Sequence, residues 1–189
     1  MRLRLATSPA WTEAVLTEFD AFLLDHAANE RKASASALAL VAHYPDRALL
    51  VERLIALAIE ELQHFQAVQA RIAEKGLILG PDVRSVYLRR LAEKFRDGSD
   101  AYFLDRLLTA AVVEARGCER FGLVASALPE GGLKEFYRDL ARSEVRHQGL
   151  YHELALAYFR EEDVRPRLDE ILDAEARVVA SLPVRAALY

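Results

Sequence analysis

The sequence predicts an all-α protein built around four long helices, with one long crossover connection between the second and the third. Glycine and proline are scarce, at 8 and 6 of 189 residues, whereas alanine, leucine, glutamate and arginine, which favour helices, recur throughout. Apolar residues make up 52% of the chain and recur at helical steps of three and four. No segment shows the pattern of a convincing strand. A chain of this length is expected to form one domain, residues 1–189.

The first half of the chain is predicted to hold two of the long helices. Ser8-Pro9 is typical of a helix start, and the helical pattern runs from there to residue 44, with a break near 18–20. Asp46 is expected to cap a second helix, which ends near residue 75 because Gly76 follows.

The second half begins with a linker, GLILGPD at 76–82, followed by a short basic helical segment at 84–96. Two more long helices are expected at about 100–127 and 133–160, separated by a PEGG break. A last amphipathic helix is predicted at 165–182, and additional short helices therefore accompany the four long ones.

The lengths of the connections predict how these helices are joined. Short turns link the members of each pair, while roughly two dozen residues separate the pairs. A helix of about 25 residues is ~38 Å long, so that connection can travel the length of a bundle. Short–long–short is the connectivity of a ferritin-like four-helix bundle.

Each long helix carries one glutamate in the middle of its apolar stripe. Glu61, for example, shares a stripe with Leu54 and Leu57, whereas its neighbour Glu60 falls on a more polar face. Two stripes add a histidine one turn later, in the spacing Glu-x-x-His. The glutamates are 31 residues apart in the first pair of helices and 30 in the second. The six residues are Glu30, Glu61, His64, Glu114, Glu144 and His147.

Four carboxylates at one level of a core repel each other unless cations neutralise them. Four carboxylates with two imidazoles suit two iron ions, with manganese as the alternative, better than zinc or calcium. This is the ligand set of the di-iron carboxylate bundles. From their positions, Glu61 and Glu144 are expected to bridge the metals. Glu30 with His64 would complete one metal, and Glu114 with His147 the other.

Three further side chains are candidates for contact with these ligands. His26 precedes Glu30 by one helical turn, and Arg31 and Arg116 closely follow a ligand in the chain. The small residues near the same level either leave room for a substrate or allow close helix packing. They are Ala33, Ala37, Ala111 and Gly117.

Composition excludes several classes of protein. The one cysteine, Cys118, cannot form an internal disulfide or a four-cysteine metal centre, and it fits a reducing, cytoplasmic compartment. No signal peptide or membrane span is expected. The net charge of −4 gives no global attraction to nucleic acid, so any such contact needs a local basic patch.

Four segments resemble one family, the tRNA-(2-methylthio-isopentenyladenosine) hydroxylases, or MiaE-like proteins. The segments are DHAANERKAS, LAIEELQHFQAV, EARGCERF and SEVRHQGLYHELA, and the likeness runs from about Trp11 to Val178 with all six ligand positions present. The resemblance implies hydroxylation of the isopentenyl side chain of the adenosine beside the tRNA anticodon. It also implies two iron ions per chain, dioxygen as co-substrate and an external electron donor, a reductase or a ferredoxin-type protein.

A tRNA anticodon stem-loop would need a positive surface. Five basic residues lie within thirteen positions of the crossover, with Tyr87 and Phe95 between them, and are either phosphate contacts or an ordinary solvated helix face. They are Arg84, Arg89, Arg90, Lys94 and Arg96. Two other functions stay open: an iron-oxidising or iron-sequestering ferritin-like protein, and a di-iron oxygenase acting on a small apolar substrate. The oligomeric state, monomer or dimer, is also open.

Overall fold

The computed structural model describes residues 1–81 and 83–189, and Asp82, which ends the predicted linker, lies outside the described residues. Within these ranges the chain forms helices and no strand. The helices are α1 (Pro9–Thr17), α2 (Phe19–His43), α3 (Ala48–Glu74), α4 (Val86–Ala92), α5 (Ser99–Ala127), α6 (Gly132–Tyr158) and α7 (Glu161–Ser181). The four long helices and the short helix in the crossover are confirmed.

Contacts group the chain into two compact units. Unit 1 consists of Met1–Thr12, Arg84–Val184 and Tyr189, and unit 2 of Glu13–Val83 with Arg185–Leu188. The single domain at 1–189 stays a prediction.

In unit 2, α2 packs along α3. Only residues 44–47 join the two helices, so they run in opposite directions as an αα-hairpin. A buried hydroxyl fixes their register, because Ser34 Oγ donates to the Ala58 carbonyl oxygen at 2.8 Å. The buried apolar residues include Phe22, Leu23, Leu40, Leu50, Leu54 and Ile72.

In unit 1, α5 packs along α6 and α7, and α4 packs on α7. The crossover helix is anchored by Tyr87 and Leu91, which are buried with Val178 of α7. Ser85 caps α4, since its hydroxyl accepts from the Leu88 N–H at 3.2 Å. The apolar face of α4 thus holds this part of the crossover against α7.

Helix ends agree with the sequence at some positions and differ at others. The break near 18–20 and the start at Ser8-Pro9 are confirmed, and Ser8 Oγ accepts from the Ala10 N–H at 3.3 Å. The predicted Asp46 cap is wrong. The N-cap of α3 is Arg47, without a side-chain cap, so Asp46 lies one residue before the position from which a cap reaches the first turn.

Helix α7 begins four residues earlier than predicted, at Glu161, and Pro166 lies inside it. Three acidic residues in the first turn favour this earlier start because they interact well with the positive end of the helix dipole. Val164, which is 1% exposed, anchors the same turn. Helix α4 is shorter than the predicted segment at 84–96 and ends at Ala92.

No helix in the described part of the chain has both the length and the apolar character needed to cross a membrane.

Asp105 on α5 ties three segments of unit 1 together. Its fully buried carboxylate accepts from the guanidinium groups of Arg96 and Arg167, with bonds of 2.8 Å from Arg96 Nη2 and 2.7 Å from Arg167 Nε. Burial alone raises the pKa of Asp105, but the hydrogen bonds from Arg167 and Arg96 outweigh it and hold the pKa below its usual value.

Asp105→Asn is therefore expected to reduce the free energy of unfolding at pH 7 by about 1–3 kcal/mol. Because the pKa is lower in the folded than in the unfolded state, the ionised carboxylate stabilises the protein at neutral pH. That contribution is lost as pH falls through the folded-state pKa. Urea unfolding of wild type and of Asp105→Asn, at pH 7 and at about pH 4 and below, measures this contribution to stability. A stability difference that stays constant over this range would contradict the role of the charge.

Candidate metal centre

In unit 2, the predicted ligands Glu30, Glu61 and His64 come together between α2 and α3. Each offers one ligand atom, and these atoms lie within 4.8 Å of one another. His64 Nδ1 lies 3.3 Å from Glu61 Oε2 and 3.6 Å from Glu30 Oε2. Glu30 and Glu61 are only 3% and 1% exposed. The structure thus brings one predicted half-site together.

In unit 1, Glu114 on α5 and Glu144 and His147 on α6 form the second cluster. Their ligand atoms also lie within 4.8 Å of one another. All three side chains are buried, and His147 Nδ1 lies 3.5 Å from Glu144 Oε2. As in unit 2, the glutamate and the histidine are three residues apart and share one helix face, and Nδ1 is the ring nitrogen on the carboxylate side.

The charges of unit 2 favour the binding of a cation at this cluster. Burial raises the pKa of Glu30, but hydrogen bonds with His26 and His64 outweigh it, and the pKa lies well below its usual value. Burial likewise lowers the pKa of His64, yet its hydrogen bonds to Glu30 and Glu61 raise the pKa to about 9. The buried carboxylates therefore favour positive charge at Nδ1. Carboxylate oxygens and imidazole nitrogens form a donor set that fits iron or manganese.

Of the three predicted neighbours of the ligands, His26 makes the expected contact. Its Nε2 lies 2.6 Å from Glu30 Oε1, and the ring is fully buried beside Phe22. This bond orients the carboxylate, as outer partners of metal ligands commonly do. Arg31 is exposed on α2.

Arg116 has a different set of partners. It is fully buried, and its Nε and Nη2 donate to the two carboxylate oxygens of Glu175 at 2.8 and 2.9 Å. The remaining bonds go to Thr7 Oγ1, Glu119 Oε2 and the Leu5 carbonyl. These bonds use all five N–H donors of a guanidinium, so the hydrogen bonds of Arg116 serve a structural network and not the ligands. Sequence periodicity did not identify Glu175 as the partner.

Three basic side chains of the crossover segment are engaged by neighbouring residues, two of them in ion pairs. Arg89 pairs with Glu93 at 2.8 Å, Arg90 donates to Ser181 Oγ at 2.6 Å, and Arg96 binds Asp105. Arg84 and Lys94 are exposed. The aromatic residues between them are structural, because Tyr87 is buried with its hydroxyl directed to Glu175, and Phe95 packs edge-on against Tyr102.

The space at Gly117 is filled by the last residue of the chain. Tyr189 donates from its hydroxyl to the Val113 carbonyl at 3.0 Å, and its ring stacks on Tyr87 with centroids 5.2 Å apart. A Cβ added at Gly117 would lie 2.7 Å from that hydroxyl oxygen and 3.9 Å from Glu144 Cγ. At Gly117, the absence of a side chain therefore allows close packing against Tyr189.

Gly117→Ala is expected to destabilise the protein by about 1–3 kcal/mol, because the methyl group overlaps the Tyr189 hydroxyl. In a helix without this contact, the same change would stabilise by up to about 1 kcal/mol. The double variant Gly117→Ala/Tyr189→Phe should recover stability, since it removes the overlapping oxygen. Thermal unfolding of the two variants and of Tyr189→Phe alone measures the coupling, and additive effects would contradict the contact.

Comparison with known proteins places the chain among relatives of known type. The sequence model of the family described as "tRNA-(MS[2]IO[6]A)-hydroxylase (MiaE)" matches residues 1–187. A tRNA 2-(methylsulfanyl)-N(6)-isopentenyladenosine(37) hydroxylase from Pseudomonas putida is 34% identical over 175 residues, 93% of this chain and 85% of the relative. A protein of the same description from Salmonella typhimurium is 34% identical over 133 residues, 70% of this chain and 48% of the relative.

A solved structure has the same fold. "Protein 43 with aldehyde deformylating oxygenase activity from Synechococcus" superposes with a TM-score of 0.93 at 36% identity, over 98% of this chain and 93% of that chain. With the helical architecture described above, this confirms the predicted all-α, ferritin-like fold.

Proposed function

Because the chain belongs to the MiaE family of tRNA hydroxylases, we propose that it hydroxylates the isopentenyl side chain of 2-methylthio-isopentenyladenosine beside the tRNA anticodon. The observation that carries the proposal is the pair of Glu-x-x-His clusters with buried carboxylates, in a chain that matches the family over residues 1–187. The reaction consumes dioxygen, two electrons and two protons, places one oxygen atom in a C–H bond and releases the other as water.

The two clusters are proposed to act together as one centre for two iron ions. Glu30 and His64 would bind one ion, Glu114 and His147 the other, and Glu61 and Glu144 would bridge them. Bound iron would supply the activation of dioxygen for attack on the C–H bond. The near-complete burial of the carboxylates supports this assignment, since ionised groups so placed need a cation.

The protein's own residues would orient the ligands and exclude water. His26 donates to Glu30 and leaves the second oxygen of that carboxylate directed toward His64. The electrons are proposed to come from a reductase or a ferredoxin-type protein. The tRNA would be held by phosphate contacts, for which the exposed basic residues of the crossover, including Arg84 and Lys94, are candidates. The modified base would be turned out of its stack toward the metals.

The test is to give iron-loaded, reduced protein oxygen and tRNA that carries the isopentenyl group but lacks the hydroxyl. Nucleosides from the digested tRNA are then analysed by mass spectrometry. The proposal expects the 2-methylthio-isopentenyladenosine peak to be replaced by one that is heavier by one oxygen atom. Unchanged nucleosides, with protein that oxidises and stores iron beyond two ions per chain, would instead support a ferritin-like function.

A second candidate follows from the solved relative with aldehyde deformylating oxygenase activity, since it shares the fold and 36% of the sequence. This chain would then act on a small apolar aldehyde. Incubation of the same reduced protein with a small apolar aldehyde distinguishes the two functions. Conversion of the aldehyde without change in the tRNA would favour the second candidate.

A further inference from the structure

A buried hydroxyl contacts the second ring nitrogen of His147. Ser143 Oγ lies 3.3 Å from His147 Nε2, while Nδ1 lies on the Glu144 side of the same ring. The two residues are four apart on α6 and therefore share one helix face. Ser143 is only 3% exposed, so the hydroxyl is part of the interior around the cluster.

This contact bears on which nitrogen can bind a metal. A neutral imidazole carries its proton on one nitrogen and a lone pair on the other. Nδ1 can act as a ligand only when the proton is on Nε2, and an acceptor at Nε2 selects that tautomer. The oxygen of Ser143 has two lone pairs and can act as this acceptor.

Arg146 fixes the position of the hydroxyl. Its Nη2 donates to Ser143 Oγ at 3.0 Å, and a guanidinium has donors only. It therefore occupies one lone pair of the oxygen, and the contact at 3.3 Å places Nε2 where its N–H can donate to the other. Arg146 itself is exposed on α6, so a chain of two hydrogen bonds runs from the surface of the helix to the buried imidazole.

We infer that Ser143, held by Arg146, is a positioning residue that keeps His147 in the tautomer whose Nδ1 binds metal. The inference rests on the metal centre proposed above. It assigns Ser143 no contact with substrate, and its effect passes through the His147 ring.

The experiment compares full-length wild type with Ser143→Ala, Ser143→Thr and Arg146→Ala. Arg142→Ala is the matched control, because Arg142 lies one turn away on α6 and pairs with Asp139 on the surface. Metal affinity is measured by ferrous iron titration against a chelator, without RNA. The imidazole tautomer of His147 is read in the metal-free protein from its ¹⁵N NMR shifts.

Ser143→Ala is expected to weaken binding of one of the two ions by about 10–100-fold, as is usual for loss of an outer partner of a ligand. It should also reduce the fraction of His147 protonated at Nε2. Ser143→Thr, which keeps the hydroxyl, should stay near wild type in both measurements. In both measurements, Arg146→Ala should fall between Ser143→Ala and wild type, and Arg142→Ala should match wild type.

Wild-type affinity and an unchanged tautomer in Ser143→Ala would overturn the role of Ser143 while leaving the metal centre intact. A wild-type chain that binds no iron would overturn the proposed centre itself, and the positioning role with it. Neither result depends on whether the substrate is tRNA, so failure of the substrate proposal is recognised separately, in the nucleoside assay.

Discussion

Glu61→Ala protein is expected to lose metal binding and hydroxylation together, with activity reduced by at least about 100-fold. Glu61 is the proposed bridging residue of unit 2, it is 1% exposed, and its carboxylate lies 3.3 Å from His64 Nδ1. Iron per chain and product nucleoside are the two measurements. The matched control is Glu52→Ala, which removes an exposed carboxylate from the same helix and should change neither.

The stability of the same variant separates loss of the site from loss of the fold. Without a cation, a buried carboxylate is unfavourable, so metal-free Glu61→Ala should be at least as stable as metal-free wild type. His147→Ala should lose metal in the same way. Two ions per chain in either variant, at wild-type affinity, would show that the ligand assignment is wrong.

The largest effect on stability is expected at Arg116. Replacing it by leucine leaves the fully buried Glu175 without its guanidinium partner in the interior. Loss of one member of a buried pair costs about 3–5 kcal/mol, so the free energy of unfolding measured in urea should fall by that amount. Tyr87, whose hydroxyl also contacts Glu175, should become less well ordered.

The double variant Arg116→Leu/Glu175→Leu tests the cause. Replacing both members of a buried pair by apolar residues removes the unpaired charge, so much of the lost stability should return. Arg142→Leu is the surface control, expected to cost no more than about 1 kcal/mol because its pair with Asp139 is exposed. If the double variant is as unstable as the sum of the two single ones, burial of an unpaired charge is not the reason.

Periodicity predicted the parts of the site that depend on a single helix. It separated Glu61, which is buried, from the half-buried Glu60, and it placed Glu114 and Glu144 on buried faces. The Glu-x-x-His spacing likewise fixed each histidine beside its own glutamate. These properties follow from 3.6 residues per turn and need no knowledge of neighbouring helices.

Contacts between distant residues were not predictable in this way. Arg116 and Glu175 are 59 residues apart, and Asp105 and Arg167 are 62 apart. A helical pattern shows which face is buried but not which side chain on another helix meets it. Arg116 was therefore expected near the ligands, because it follows Glu114 in the chain, whereas its side chain leaves the helix in another direction. Tyr87, which lies between the basic residues of the crossover in the sequence, is buried.

Transfer of labelled oxygen is the most direct measurement of the central claim, that this chain inserts an oxygen atom from dioxygen into the isopentenyl group of tRNA. Reduced, iron-loaded protein is mixed with the hypomodified tRNA under ¹⁸O-labelled dioxygen, and the masses of the nucleosides are measured by mass spectrometry. We expect the hydroxylated adenosine to carry the heavy isotope in the wild-type reaction and to be missing in the Glu61→Ala reaction. Product with ordinary oxygen taken from water, or equal product from Glu61→Ala, would contradict it.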